Sequence, residues 1–197
     1  MVRETVLIDN CAWDILEIRG VDLVNERGED LQFTVSDLGL IEIPADSHPN
    51  EGAQRVGKYA RAQLAALEAE PAVWFHFKDI DDPAPSGVGF GELQPDGSVK
   101  GGAFLTSVEG RAYADANEHR IGGASGEKRM GSGLLKHQTD IDYGEWSTGL
   151  LVITANPKDF KAGAKAVDIR TWVSGSFGDF VRQALSKRKA QSQRQSV

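Results

Sequence analysis

The sequence predicts an α/β fold built on a parallel sheet. Two short, wholly apolar runs carry that expectation: Thr5-Val6-Leu7-Ile8 and Leu150–Thr154 (LLVIT). A run without polar alternation suits a strand buried on both faces, the usual condition of a strand in a parallel sheet. The third observation is the junction after the first run. Asp9-Asn10 ends it, and Cys11, Trp13, Ile15, Leu16 and Ile18 then follow at roughly helical spacing. Strand, acidic junction and helix in succession is how an α/β domain presents a polar residue at the carboxyl edge of its sheet.

The remaining elements follow in order. Gly20 and Gly28 bracket a connection, and residues 31–35 read as a second strand or a short extended segment. Ser36-Asp37 can cap a helical turn holding Leu38, Leu40, Ile41 and Glu42. Residues 51–69 form the clearest helix, with Val56, Tyr59, Ala60, Leu64 and Leu67 along one face and Pro71 as its stop. Residues 72–77 read as the next strand. From 81 to 133 the chain is glycine-rich. Pro95-Asp96-Gly97 predicts a hairpin turn between residues 88–93 and 99–105. A helix is expected over 108–119 and a mobile loop over 122–133. Thr139 is expected to cap a helix containing Ile141, Tyr143 and Trp146. After LLVIT come a loop over 155–159, a short strand near Val167–Ile169 and an amphipathic helix over 177–189. The expected organisation is one domain over 1–180 with a glycine-rich insertion around 80–133. Residues 181–197 are expected to be a basic, flexible tail.

Composition narrows the class. A single cysteine among 197 residues excludes an intramolecular disulfide framework and zinc centres built from two or more cysteines. His48, His76 and His119 have no ligand spacing. No apolar run approaches the roughly 18–20 residues of a membrane span. The first residues lack the pattern of a signal peptide. These features predict a soluble, cytoplasmic protein with no membrane partner. The net charge is −7, but residues 181–197 carry +5 and the body −12. Such a body repels a polyanion unless its acid serves a purpose.

In a parallel sheet the carboxyl ends share one edge, so Asp9, Asp140, Asn156 and Asp159 are expected to converge although they lie far apart in sequence. Glu42, just after the extended segment FTVS, is a further candidate. Converging carboxylates repel unless a cation lies among them. Oxygen ligands of this type suit Mg²⁺ or Mn²⁺, which lower the pKa of bound water and stabilise charge on a phosphate.

Two segments resemble a known family. VLIDNCAWDIL is similar to the opening motif of PIN domains, and DIDYGEWSTGLLVITANPKDF to their closing segment. The latter matches with Asp140, Glu145 five positions on, then Thr154, Asn156, Asp159 and Phe160. SDLGLIEI offers Glu42 where that family typically has its second acid. The resemblance covers residues 5–18 and 136–160, with a weaker link near 33–43. It implies a three-layer α/β/α sandwich around a mainly parallel sheet, and a Mg²⁺- or Mn²⁺-dependent ribonuclease, toxin-like in some members. It further implies metal held by Asp9, Glu42 and Asp140, with Asn156 or Asp159 in fourth place. Asp9, Glu42, Asp140 and Asp159 would be catalytic, and Lys136 and Tyr143 would contact substrate. RNA, an antitoxin protein and a second copy of the chain are the implied partners; an inactive RNA- or protein-binding domain is the alternative. The chain departs from the pattern in its long glycine-rich stretch and in having Asn156 where an Asp is common.

Plainer roles exist for the same residues. Asp9 can cap the following helix, and Glu42, between Ile41 and Ile43, can be a solvated position. Asp140 and Asp142 compete, since either suits the first turn of a helix; spacing to Glu145 and Thr154 favours Asp140. Asp159 can be a turn residue after Pro157. Cys11 reads as a buried structural thiol, and GVGFG (87–91) as part of a hairpin, because no Lys-Ser/Thr follows it. Glu29-Asp30 and Asp81-Asp82 read as solvated turns.

Overall fold

A computed structural model describes residues 3–75, 92–93, 95, 99–100, 103–161 and 164–195. Strand β1 (Glu4–Ile8) is central. β2 (Leu31–Thr34) lies on one side of it and β5 (Leu151–Thr154) on the other, with β6 (Val167–Asp168) beyond β5. The order is β2-β1-β5-β6, and every pairing is parallel. Both predicted apolar runs are therefore interior strands, as their lack of alternation required.

Strand alternation divides the core into two. Val6, Ile8, Leu151 and Ile153 face a cluster that includes Trp13 and Leu16 of α1 (Trp13–Ile18) and Val56, Ala60 and Leu64 of α4 (Glu51–Ala66). Phe177 and Val181 of α7 (Phe177–Gln195) complete that side. Leu7 and Val152 face the opposite layer, where Tyr143 and Trp146 of α6 (Gln138–Gly149) pack with Ala72 and Phe160. Helices thus cover both faces of the sheet, and the three-layer α/β/α arrangement holds. The short helices α2 (Leu23–Glu26) and α3 (Asp37–Glu42) flank β2 in sequence. α5 (Val108–Asn117) packs along α6.

Several elements differ from expectation. α4 ends at Ala66 rather than 69, and Glu68 turns to φ 51° ahead of Pro71. The strand expected over 72–77 is reduced to single bridges, Ala72 with Ser36 and Trp74 with Phe104; residues 76–77 lie outside the described residues. The hairpin survives as β3 (Glu92–Leu93) antiparallel to β4 (Val99–Lys100). Residues 87–91 lie outside the description.

Residues 122–133 are not an open loop. The Lys136 and Lys128 amides donate to Lys128 and Gly122 carbonyls, and Met130 N–H donates to Leu134, folding the stretch back on itself. Left-handed glycines (Gly122, Gly123, Gly126 and Gly133) permit those reversals. α6 begins after His137, itself left-handed at φ 63°, and no side chain caps it, so the cap expected from Thr139 is absent.

The expected tail is helix to Gln195, and three of its cations, Arg182, Arg188 and Lys189, are engaged. Arg182 forks onto Asp30 (2.8 and 2.9 Å), which is accordingly not a merely solvated turn residue. Arg188 donates to the Thr148 and Leu150 carbonyls, and Lys189 pairs with Glu4 at 2.6 Å. Among the described residues no helix is long and apolar enough to cross a membrane.

A candidate carboxylate site at the sheet edge

Asp9 leaves β1 at the carboxyl edge, where its N–H donates to the Ile153 carbonyl at 2.9 Å and extends the β1–β5 pairing by one step. That register puts Asp9 beside Thr154. The Thr154 hydroxyl donates to Asp9 Oδ2 at 2.7 Å, and the Cys11 thiol donates to the same oxygen at 2.8 Å. Cys11 Sγ also lies 3.2 Å from Thr154 Oγ1 and accepts from the Ala155 N–H at 3.1 Å. Burial, then the neighbouring Asp9 carboxylate, pushes the Cys11 thiol up to about 12. The sulfur is therefore a protonated donor that fixes the Asp9 rotamer, and not a nucleophile.

Glu42 arrives by a different route. The Ser36 hydroxyl caps α3 by accepting from Gly39 N–H at 3.0 Å, which starts the helix that ends on Glu42. Asn10 Nδ2 donates to the Gly39 carbonyl at 2.9 Å and reaches Glu42 Oε2 at 3.4 Å, tying the end of β1 to that helix. Asp140 comes from the first turn of α6, where its Oδ2 is 2.8 Å from His137 Nδ1. The left-handed turn at His137 is what brings this imidazole alongside its neighbour three residues on.

The three acids interact. Burial raises the Asp9 pKa, the Cys11 and Thr154 hydrogen bonds oppose it, and Asp140 raises it further. Burial likewise raises Glu42, with Thr139 and Asn10 opposing and the charges of Asp9 and Asp140 adding to the rise. Asp140, and not Asp142, is thus the α6 acid that acts on the other two. Asp142 belongs to a separate buried group behind α6. Its Oδ1 accepts from Trp74 Nε1 at 3.0 Å, and burial carries its pKa to about 7, reinforced by Asp37 and Glu145 against the effect of Ser36 and Trp74.

Tyr143 is not a substrate contact. It is fully buried; its hydroxyl donates to the Ile8 carbonyl at 2.9 Å and accepts from Ser36 N–H at 3.4 Å. Its ring fits against Gly39, where a Cβ would come within 2.1 Å of the phenolic oxygen. Tyr143 therefore locks together β1, α3 and α6, the three elements that carry Asp9, Glu42 and Asp140. An aromatic hydroxyl one turn after an acid looks the same in sequence whether it faces solvent or core, so the sequence could not separate these roles.

Lys136 is half-buried, in the folded turn leading into α6, with both backbone polar groups paired. Asn156 N–H donates to Thr154 Oγ1 at 3.0 Å, one hydroxyl removed from Asp9. The Asn156 amide turns onto the Asp159 carboxylate, and the Asp159 carbonyl accepts from Arg120 at 2.6 Å. Asp159 is not among the main charges acting on Asp9 or Glu42. The fold thus groups Asp9, Glu42 and Asp140 electrostatically, with Asn156 and Asp159 as a hydrogen-bonded pair at the rim. Sequence reasoning missed the role of Cys11; its signal is positional, two residues after the strand-end Asp and opposite a strand-end Thr.

A hard cation fits the chemistry of this donor set, because burial and neighbouring acid hold Asp9 and Glu42 toward protonation unless positive charge arrives. Among the described residues, however, no group of three or more His, Cys, Asp or Glu side chains is placed to hold a metal ion. Mg²⁺ does not need three, since it keeps several waters and uses one or two carboxylates together with substrate phosphate.

Compared with protein-family models, with curated proteins and with solved structures, the chain matches none.

Proposed function

We propose that this protein is a divalent-cation-dependent phosphodiesterase acting on RNA. The observation that carries the reading is the electrostatic pressure of Asp140 on Asp9, and of Asp9 and Asp140 on Glu42, three acids delivered by different elements to one sheet edge. Burial and neighbouring acid disfavour the ionisation of Asp9 and Glu42, an arrangement common at functional sites and unfavourable for stability alone. RNA as substrate is supported by the two PIN-like segments. Asp9 and Asp140 would hold Mg²⁺ or Mn²⁺, with Glu42 beside them. Bound there, the cation would supply an acidified water and charge stabilisation on the phosphate.

The chain's own groups have definable tasks. The Cys11 thiol and Thr154 hydroxyl both donate to Asp9 Oδ2, which fixes the orientation of the carboxylate. His137 orients Asp140 in the same manner. Glu42, its pKa raised chiefly by burial, is a stronger base than an exposed carboxylate and can accept a proton from an attacking water. Asn156 and Asp159 stand at the rim, where a ribose or phosphate would enter. A toxin-like role, with a protein antitoxin as partner, extends this reading.

The test is cleavage of single-stranded RNA with Mg²⁺ or Mn²⁺, repeated with Asp9→Asn and Asp140→Asn. Each substitution is expected to lower the rate at least a hundredfold, and chelation to abolish it. Full activity in both variants, or activity indifferent to chelator, would overturn the mechanism. A second reading, a PIN-like domain that binds RNA or protein without cutting, is favoured by the absence of three converged ligands among the described residues. Calorimetry separates the two: no heat of binding at millimolar Mn²⁺ favours the second.

A further inference from the structure

We propose that the cleft between α1, the end of α3 and the first half of α4 binds the base of the nucleotide beside the phosphodiester held at the acids, and that it prefers bases carrying an exocyclic amino group. The inference rests on the nuclease reading and names the part of the substrate recognised. The cleft measures about 440 Å³, within the range of about 300–1,000 Å³ usual for small-ligand sites. Asn10 and Glu42 belong to its lining and also to the acid site, so a group seated here adjoins the carboxylates.

Its chemistry selects against phosphate. Among the described residues no Lys or Arg lines it, while Asp14 and Glu42 do. Trp13, Ile43, Val56 and Ala60 give it apolar wall for the flat faces of a heterocycle, beside the polar Asn10, His48 and Asn50. Two lining residues carry buried polar atoms that lack a hydrogen-bond partner among the described residues: Asn10 Oδ1, an acceptor, and Trp13 Nε1, a donor. Buried polar groups normally have partners, so these two, on residues that line one cleft, leave an acceptor and a donor unmet beside it. His48 adds a donor, because its Nδ1 accepts from Asn50 N–H at 3.1 Å and the ring proton is then on Nε2. Asn10 Oδ1 and the Asp14 carboxylate are acceptors for an amino group, as carboxylates are for the cytosine amine in other nucleic-acid complexes. Uracil has no such amine.

Binding of the four free nucleosides, followed by NMR without added metal, tests this. At least one of adenosine, cytidine and guanosine is expected to bind tenfold or more tightly than uridine. Ala53→Trp, which fills the cleft from a partly exposed position on α4, is expected to weaken that binding at least tenfold. His48→Ala, in an exposed loop, is expected to weaken it several-fold and guards against a misfolded Trp variant. No binding of any nucleoside at millimolar concentration, uridine bound as tightly as the rest, or both cleft variants binding like wild type would overturn the proposal. Nucleoside binding with no RNA cleavage would overturn the nuclease reading alone, and cleavage without nucleoside binding the cleft alone.

Discussion

Asp142→Asn is expected to make the fold more stable at pH 8 than the wild type, by an amount that vanishes in acid. Asp142 is 8 % exposed, accepts one hydrogen bond from Trp74, and has its pKa carried from 3.8 to about 7 chiefly by burial. In the unfolded chain the group ionises near 3.8. Between that value and about 7 the native state therefore binds more protons than the unfolded state, and stability falls as pH rises through the window. A rise of about three units corresponds to roughly 4 kcal/mol at full ionisation, and local relaxation brings the expectation to about 2–4 kcal/mol. Asparagine retains an acceptor for Trp74 Nε1 and never ionises. Any constant penalty of its amide shifts the comparison uniformly and leaves the pH dependence untouched. The assay is urea denaturation of both proteins at fixed ionic strength from pH 4 to pH 8. The difference between them should grow in favour of the variant up to about pH 7 and then level. Parallel pH profiles would refute the reasoning, because they would mean that Asp142 ionises in the native state as readily as in the unfolded chain.

Other outcomes follow from the same contacts. Tyr143→Phe removes a buried donor from the Ile8 carbonyl and should lower stability by about 1–3 kcal/mol in thermal denaturation, with activity falling because three acid-bearing elements lose their common tie. Cys11→Ala should reduce cleavage markedly and Cys11→Ser much less, since serine can still donate to Asp9; equal loss in both would show that hydrogen bonding is not what the thiol contributes. Gly39→Ala should destabilise strongly by forcing a methyl against the Tyr143 hydroxyl, read out as a lowered midpoint in urea. Arg182→Ala should loosen α7 and increase amide exchange near Asp30 and Glu26, because the guanidinium bridges the Asp30 carboxylate and the Glu26 carbonyl.

What the sequence by itself determined is the part of the fold written in local pattern. TVLI and LLVIT read as interior strands, since a short apolar run without polar alternation suits a strand buried on both faces. Asp9 then had to stand at the carboxyl edge, and the 51–66 helix showed its apolar stripe. The adjacency of β1 and β5 is not local: 145 residues separate Asp9 from Thr154, and only their register explains the shared hydrogen bond. The choice between Asp140 and Asp142 was likewise tertiary. Two acids two residues apart on a helix face differently, and the layer against α6 decided which met Asp9 and which was buried behind Trp74. Tyr143 and the basic tail follow the same rule. The resemblance marked one as a substrate contact, and composition marked the other as a flexible tail. A buried hydroxyl finds whichever backbone groups lie within reach, however, and a row of cations becomes a helix when carboxylates and carbonyls from distant elements pair with it. Periodicity reports which face of a segment is apolar, while the meeting of faces depends on contacts that no single segment contains.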